Sequence, residues 1–178
     1  MKKFEIRKKI LGIRKNNNKK LQINFRDIFR ILKKIKTVGK IVGGYYPYNN
    51  EVDTIKILKE FEKHNYVISL PKIKKDYQMN FFKWSSKDPL SINTYGIPEP
   101  ISHKIIYPNI ILVPVVAFDK NFNRIGYGGG FYDRYIKRIE KNKNVITIGL
   151  AYSFQKVKKI QINKYDKKLN FIVTDKGN

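Results

Sequence analysis

Between Ile110 and Ile139 the chain runs from an unbroken apolar stretch into a cluster of glycines and then into a helical pattern. Few folds accommodate that succession. Ile110 to Phe118 reads as a buried strand, since a short continuous apolar run suits a strand covered on both faces. Gly126, Gly128, Gly129 and Gly130 then fall within five residues. Tyr132, Tyr135, Ile136 and Ile139 follow at helical spacing. Strand, glycine-rich loop and helix start make a common anion site. Glycine lets the backbone approach a ligand closely, and the amides of a first helical turn point at negative charge. Asp133 sits just after the loop, where a carboxylate suits a cation that bridges phosphates. Glycines alone also fit a flexible hairpin. The string is not a Walker A loop, because no Gly-Lys-Ser/Thr follows, and Phe131 stands at the third glycine of the dinucleotide fingerprint.

The remaining elements alternate in kind. Residues 3 to 15 read as a helix with Ile6, Ile10 and Ile13 inward. Lys3 and Arg7 share its polar side at i, i+4, a pair that is by default solvated surface. A second amphipathic helix is marked by Phe25, Ile28, Phe29, Leu32 and Ile35. Val38 to Tyr46 reads as a strand ended by Pro47. At its carboxyl end, the ligand side of an open α/β sheet, lies the loop Tyr48 to Glu51. A helix from Thr54 to His64, capped by Asp53 or Thr54, comes next. Strands are expected at Tyr66 to Leu70, stopped by Pro71, at Met79 to Trp84, at Val145 to Leu150 and at Phe171 to Thr174. Asp88 to Pro100, with three prolines, reads as loop. The order predicts an α/β fold, a layered open sheet, largely parallel, with helices on both faces and residues 1–178 forming one domain.

Composition excludes several function classes. The chain has no cysteine, so disulfides, thiolate metal sites and cysteine nucleophiles are absent. No apolar run approaches the roughly 20 residues of a membrane span. The short run Ile10 to Ile13 is closed by Arg14-Lys15, too soon for a signal-peptide core. A cytoplasmic location is therefore expected. The formal charge is +24, from 38 Lys plus Arg against 14 Asp plus Glu. A basic nucleic-acid-binding module is the alternative this charge raises. Against it, the lysines are spread along the chain, with no interleaved aromatic platform or recognition helix. A basic field also draws small anions such as ATP.

The whole string from Phe118-Asp119 through Arg124-Ile125-Gly126-Tyr127-Gly128-Gly129-Gly130-Phe131-Tyr132-Asp133-Arg134-Tyr135 resembles the signature of the 5-formyltetrahydrofolate cyclo-ligases. Further blocks occur in that family's order: Lys3 with Arg7, Tyr45-Tyr46-Pro47 through Glu51-Val52-Asp53-Thr54, Leu70-Pro71-Lys72, Gly96-Ile97-Pro98-Glu99-Pro100, and Gly149 to Gln155. Tyr165 and Asn170 stand where the family has His and Asp. The resemblance implies an enzyme that uses ATP and Mg²⁺ to convert 5-formyltetrahydrofolate to 5,10-methenyltetrahydrofolate, releasing ADP and phosphate. By the same resemblance Lys3, Arg7, Arg124 and the segment Ile125 to Tyr132 would hold ATP. Tyr46, Glu51, Tyr127, Gly128, Gly129, Gly130 and Phe131 would line the folate site, and Asp133 and Asp166 would carry Mg²⁺. No membrane or nucleic-acid partner is implied, and the chain is read as a monomer.

Overall fold

The structure, a computed structural model, describes residues 2–17, 21–35, 39–74 and 78–177. Two helices, α1 (Lys3–Asn16) and α2 (Phe25–Lys34), precede the strand β1 (Ile41–Gly43). The next helix, α3 (Thr54–Lys63), is capped by Asp53, whose carboxylate accepts from the amides of Ile55 and Lys56. There follow β2 (Val67–Ile73), β3 (Met79–Trp84), β4 (Leu90–Ile92) and β5 (Pro98–Pro100). The run to the glycine loop holds β6 (Ile110–Pro114), β7 (Ala117–Phe118) and β8 (Arg124–Ile125). The helix α4 (Phe131–Ile139), β9 (Ile146–Leu150) and β10 (Phe171–Val173) complete the order.

Six strands form one sheet in the order β10-β9-β6-β1-β2-β3, parallel throughout except for β3. Alternation along β6 shows why it is apolar at every position. Ile110 and Leu112 pack with Ile28 and Leu32 of α2 and Leu58 and Phe61 of α3. Ile111 and Val113 pack on the other face with Tyr135, Ile136 and Ile139 of α4. The helices thus cover both faces, as the alternation of elements predicts. From β1 the chain moves one way, to β2; from β6 it moves the other way, to β9. The carboxyl ends of β1 and β6 therefore flank the topological switch point, where open α/β sheets bind ligands.

The first helix belongs to neither layer. Ile6 and Ile10 pack with Val116, Ala117, Ile125 and Ile160, over the β7–β8 hairpin that follows β6. That seat puts α1 beside the glycine loop. It also reverses one expectation: Ile13 is 41% exposed, and Arg14 is 2% exposed in its place.

Three further expectations change. Pro71 does not stop β2, which continues to Ile73 opposite β3. Beyond Ser69 the strand has lost β1 as a neighbour, so a residue without an N–H is tolerated there. The stretch from Asp88 to Pro100 contains a hairpin rather than pure loop. The Asn93 side-chain oxygen accepts from the amides of Tyr95 and Ile97 and turns β4 back onto β5. The first strand is only three residues long, and Val38, where the longer expected one begins, lies outside the described residues.

The exit from β6 is held by Gln155, itself 1% exposed. Its side-chain nitrogen donates to the carbonyls of Val115 (2.7 Å) and Val116 (2.8 Å), and its oxygen accepts from the Tyr152 amide (2.6 Å). Gln155→Leu keeps the volume and strands these backbone groups. A stability loss of about 3 kcal/mol is expected, read as a fall in denaturation midpoint.

Candidate active site

Two groups of polar side chains meet at the switch point. The first lines the exit of β1. Glu51 is 9% exposed, and one of its carboxylate oxygens accepts from the Tyr48 amide at 3.0 Å. Burial pushes its pKa up to about 7, against the lowering pull of the Tyr48 amide, the Arg14 guanidinium and the Tyr127 hydroxyl. Its own backbone carbonyl accepts from the Tyr152 hydroxyl at 3.2 Å. Tyr45 is buried within electrostatic reach of this carboxylate, and its hydroxyl has no hydrogen-bond partner among the described residues. Tyr46, next in the chain, is half-buried at the same strand exit. The loop that carries Glu51 includes Asn49 and Asn50 at φ 47° and 57°. These are left-handed positions that asparagine tolerates better than most residues.

The second group surrounds the glycine loop. Gly128 has φ +110°, and Gly130 has φ +65° just before α4. Among the described residues no side chain caps that helix, so its positive end faces the loop, with Asp133 in the first turn. Arg7 donates from Nε to the Gly126 carbonyl at 2.8 Å. A Cβ built on Gly128 would lie 3.5 Å from the Arg7 guanidinium, so bare backbone and cation are close neighbours. Arg124, 8% exposed, pairs with Asp133 at 3.0 Å, and its Nε has no partner among the described residues. The Tyr132 hydroxyl is likewise buried and unpartnered. Phe131 packs half-buried against the α4 core, and Ile125 anchors the strand side of the loop in the α1 cluster.

Asp133 is tied to the backbone just after Asp166. The amide of Lys167 donates to Asp133 Oδ1 at 3.0 Å, and Asp166 pairs with Lys3. Among the described residues no three His, Cys, Asp or Glu side chains gather into a metal cage. The donor set is two hard carboxylates beside an anion-seeking loop. That suits an ion such as Mg²⁺, which takes one or two carboxylates and completes its shell with water and phosphate oxygens. It does not suit a metal bound by protein alone. Asn170, the second departure from the family pattern, ties β9 to the segment before β10. Its side-chain oxygen accepts from the Thr147 amide and hydroxyl, each at 2.8 Å.

Tyr127 joins the two groups. It stands between Gly126 and Gly128, its ring lies 6.0 Å from that of Tyr48, and its hydroxyl is hydrogen-bonded to Arg14. Arg14 also donates to the Val115 carbonyl (3.4 Å), and its Nε has no partner among the described residues. Sequence reasoning missed Arg14, taking it only as a charge that closes an apolar run. The signal was available. Arg14 is eleven residues from Lys3, which on a helix of 3.6 residues per turn brings it back to the same stripe as Lys3 and Arg7. Tyr45, beside the anticipated Tyr46, was also passed over, because a tyrosine flanking a strand end carries no periodic mark.

Fold and site together define a doubly wound α/β protein with a buried carboxylate and a cation-rimmed glycine loop at its switch point. The chain belongs to the 5-formyltetrahydrofolate cyclo-ligase family, whose sequence profile matches residues 1–175. A relative from Haemophilus influenzae, named 5-formyltetrahydrofolate cyclo-ligase, is 33% identical over 136 residues, 72% of this chain and 72% of that one. One of the same name from Mycoplasma pneumoniae is 31% identical and covers 76% of this chain and 73% of its own. Among solved structures, the 5,10-methenyltetrahydrofolate synthetase of Aquifex aeolicus superposes with a TM-score of 0.79 at 30% identity, covering 99% of this chain and 91% of that chain. The synthetase of Mycoplasma pneumoniae superposes with a TM-score of 0.73 at 26% identity, covering 97% and 98%. No helix among the described residues is long and apolar enough to cross a membrane.

Proposed function

We propose that this chain converts 5-formyltetrahydrofolate and ATP to 5,10-methenyltetrahydrofolate, ADP and phosphate, with the nucleotide at the glycine loop and the pterin at Glu51. The observation that supports this reading is the contact of Tyr127, on the glycine loop, with Arg14 and Tyr48 beside the buried Glu51. Family membership supports the reaction.

A formamide oxygen is a poor leaving group, and phosphorylation makes it a good one. The formyl oxygen attacks the γ-phosphorus as the bond to ADP breaks. N10 then adds to the activated carbon and loses its proton. The carbon–oxygen bond breaks, phosphate departs, and the positive charge is shared across N5, carbon and N10. Such transfer depends on positioning and on charge neutralisation more than on a nucleophilic side chain, in keeping with a chain that lacks cysteine.

The residues divide the work accordingly. Lys3, Arg7 and Arg124 neutralise the triphosphate, and the backbone from Ile125 through Tyr132 cradles it. Asp133 and Asp166, now paired with Arg124 and Lys3, would hold Mg²⁺, which would offset the charge on the phosphates. Glu51 accepts two hydrogen bonds from pterin N–H groups. Tyr46, Tyr127 and Phe131 shape the folate side, with Gly128, Gly129 and Gly130 keeping the shared wall thin.

A pH dependence follows from Glu51. Only its carboxylate form accepts both bonds, and in the free protein that form gives way as pH falls through about 7. Affinity for 5-formyltetrahydrofolate is expected to be flat above that pH and to fall up to about tenfold per pH unit below it. Calorimetric titration from pH 5.5 to 8.5 measures this; a flat profile removes Glu51 from the pterin contact. The reaction itself is tested by the absorbance of the methenyl product. Product is expected with ATP and Mg²⁺ together, and none with either omitted; product without ATP, or none with both, contradicts the proposal.

A further inference from the structure

Stability does not account for the place of Arg14. Its guanidinium is buried, and its Nε has no partner among the described residues. A buried guanidinium with an unused donor costs free energy. One of the bonds it does make is redundant. The Val115 carbonyl that it reaches at 3.4 Å already accepts from Gln155 Nε2 at 2.7 Å. The other bond is to the Tyr127 hydroxyl, and the guanidinium carbon lies 5.6 Å from the centroid of the same ring. The feature of the fold that depends on Arg14 is thus the setting of Tyr127.

That bond has a direction. A guanidinium only donates, so Arg14 takes a lone pair of the Tyr127 hydroxyl and leaves its O–H to donate elsewhere. The acceptors in reach lie on the Glu51 loop: the Tyr48 carbonyl at 3.4 Å and the Glu51 carboxylate, which this hydroxyl favours in its charged form. A chain of donors therefore runs from α1 through the glycine loop to Glu51, and each bond in such a chain polarises the next.

We propose that Arg14 is a positioning residue for the reaction: acting from α1 through Tyr127, it points that hydroxyl at the Glu51 loop and keeps the glycine loop and the Glu51 loop in register. It touches neither ligand. The assignment rests on the reading of Glu51 as the pterin contact.

The guanidinium also supplies charge. Around the Glu51 carboxylate stand Tyr45 at the exit of β1, Tyr48 on the same loop, Tyr127 on the glycine loop, Tyr132 of α4 and Tyr152 after β9. Burial pushes the hydroxyls of Tyr45, Tyr127, Tyr132 and Tyr152 up, so they are uncharged near neutral pH. Arg124 reaches this set through Tyr132, and Asp53 and Asp175 through Tyr152. The charge that acts on the carboxylate itself is that of Arg14.

Two measurements test the proposal. The first is calorimetric titration of 5-formyltetrahydrofolate against pH. The pH below which affinity falls, about 7 in the wild type, is expected to rise by about one pH unit in Arg14→Met, as loss of a neighbouring opposite charge does. Arg14→Lys, which keeps the charge, is expected to return it to the wild-type position. The second is a double-mutant cycle on kcat at about pH 9, where Glu51 is charged in every variant. Arg14→Met and Tyr127→Phe are each expected to lower kcat about tenfold through misalignment. The double variant is expected to lose about tenfold as well, since both changes cut one link; independent losses would multiply to about 100-fold. Tyr127 is 38% exposed, so Tyr127→Phe checks the route even if Arg14→Met folds poorly. An unmoved pH profile in Arg14→Met, multiplying losses, or wild-type kcat in Tyr127→Phe overturns the role of Arg14 while leaving the functional reading intact. A wild type with a flat profile, or with no ATP-dependent product, overturns the functional reading instead.

Discussion

Glu51→Gln is expected to make the protein more stable and worse at holding folate. The carboxylate is buried and its pKa stands at about 7 against an ordinary 4.5. Below pH 4.5 folded and unfolded chains both carry the proton, and Glu51 costs nothing. Between 4.5 and 7 the unfolded chain gives up its proton first, so stability falls as pH rises, and above 7 the full loss remains. The shift corresponds to about 3 kcal/mol as an order of magnitude. Glutamine removes that cost while keeping an oxygen that can accept from the Tyr48 amide. The variant should therefore melt roughly 5–10 °C higher than the wild type at pH 8, and the gap should close at pH 4. Its affinity for 5-formyltetrahydrofolate should drop about 10- to 100-fold, because a charge-assisted double acceptor is lost. A variant that melts lower at pH 8, or binds folate unchanged, contradicts this account. Sites held ready for a ligand commonly carry such instability.

The second large effect is at Asp133. Asp133→Asn is expected to lower kcat about 100- to 1000-fold, the usual cost of removing one electrostatic contact in a preorganised site. The Lys167 amide and Arg124 bond different oxygens of the carboxylate, so the asparagine oxygen keeps one of these two bonds, and a melting temperature a few degrees lower is expected. The choice of substitution matters. Either substitution removes the counter-ion of buried Arg124, but alanine also removes every acceptor for Arg124 and the Lys167 amide, and breaking such a pair outright costs about 3–5 kcal/mol. Activity lost through alanine could not be told from activity lost through unfolding. Steady-state rates and thermal melts on the asparagine variant separate the two; wild-type turnover there removes the metal role from Asp133.

The sequence makes some of this legible for identifiable reasons. The centres of β6 and α4 are read from apolar burial, but the strand expected from Ile110 to Phe118 ends at Pro114, and Ala117–Phe118 forms the separate β7, which the unbroken apolar run conceals. Glu51 is found because a charged residue just past a strand end marks the ligand side of an open sheet. Other features depend on contacts distant in sequence. Arg14 is hydrogen-bonded to Val115 and Tyr127, more than a hundred residues away, so its helical spacing tells which side of α1 it is on but not that it is buried. The same distance effect exposes Ile13, which has the spacing of a core residue but faces away from the hairpin that α1 packs on. Pro71 and the prolines of β5 look like strand breakers, yet each lies in strand with a partner on one side only. A proline's missing donor matters only where a neighbour would have used it.

The central claim is that nucleotide and folate occupy separate half-sites that meet at Tyr127. The most direct measurement is a set of four dissociation constants: a non-hydrolysable ATP analogue and 5-formyltetrahydrofolate, each titrated into Arg7→Gln and Glu51→Gln. The expected result is selective, with the Arg7 variant losing nucleotide and keeping folate, and the Glu51 variant losing folate and keeping nucleotide. Equal losses of both ligands in either variant, or the two selectivities exchanged, would contradict the division of the site.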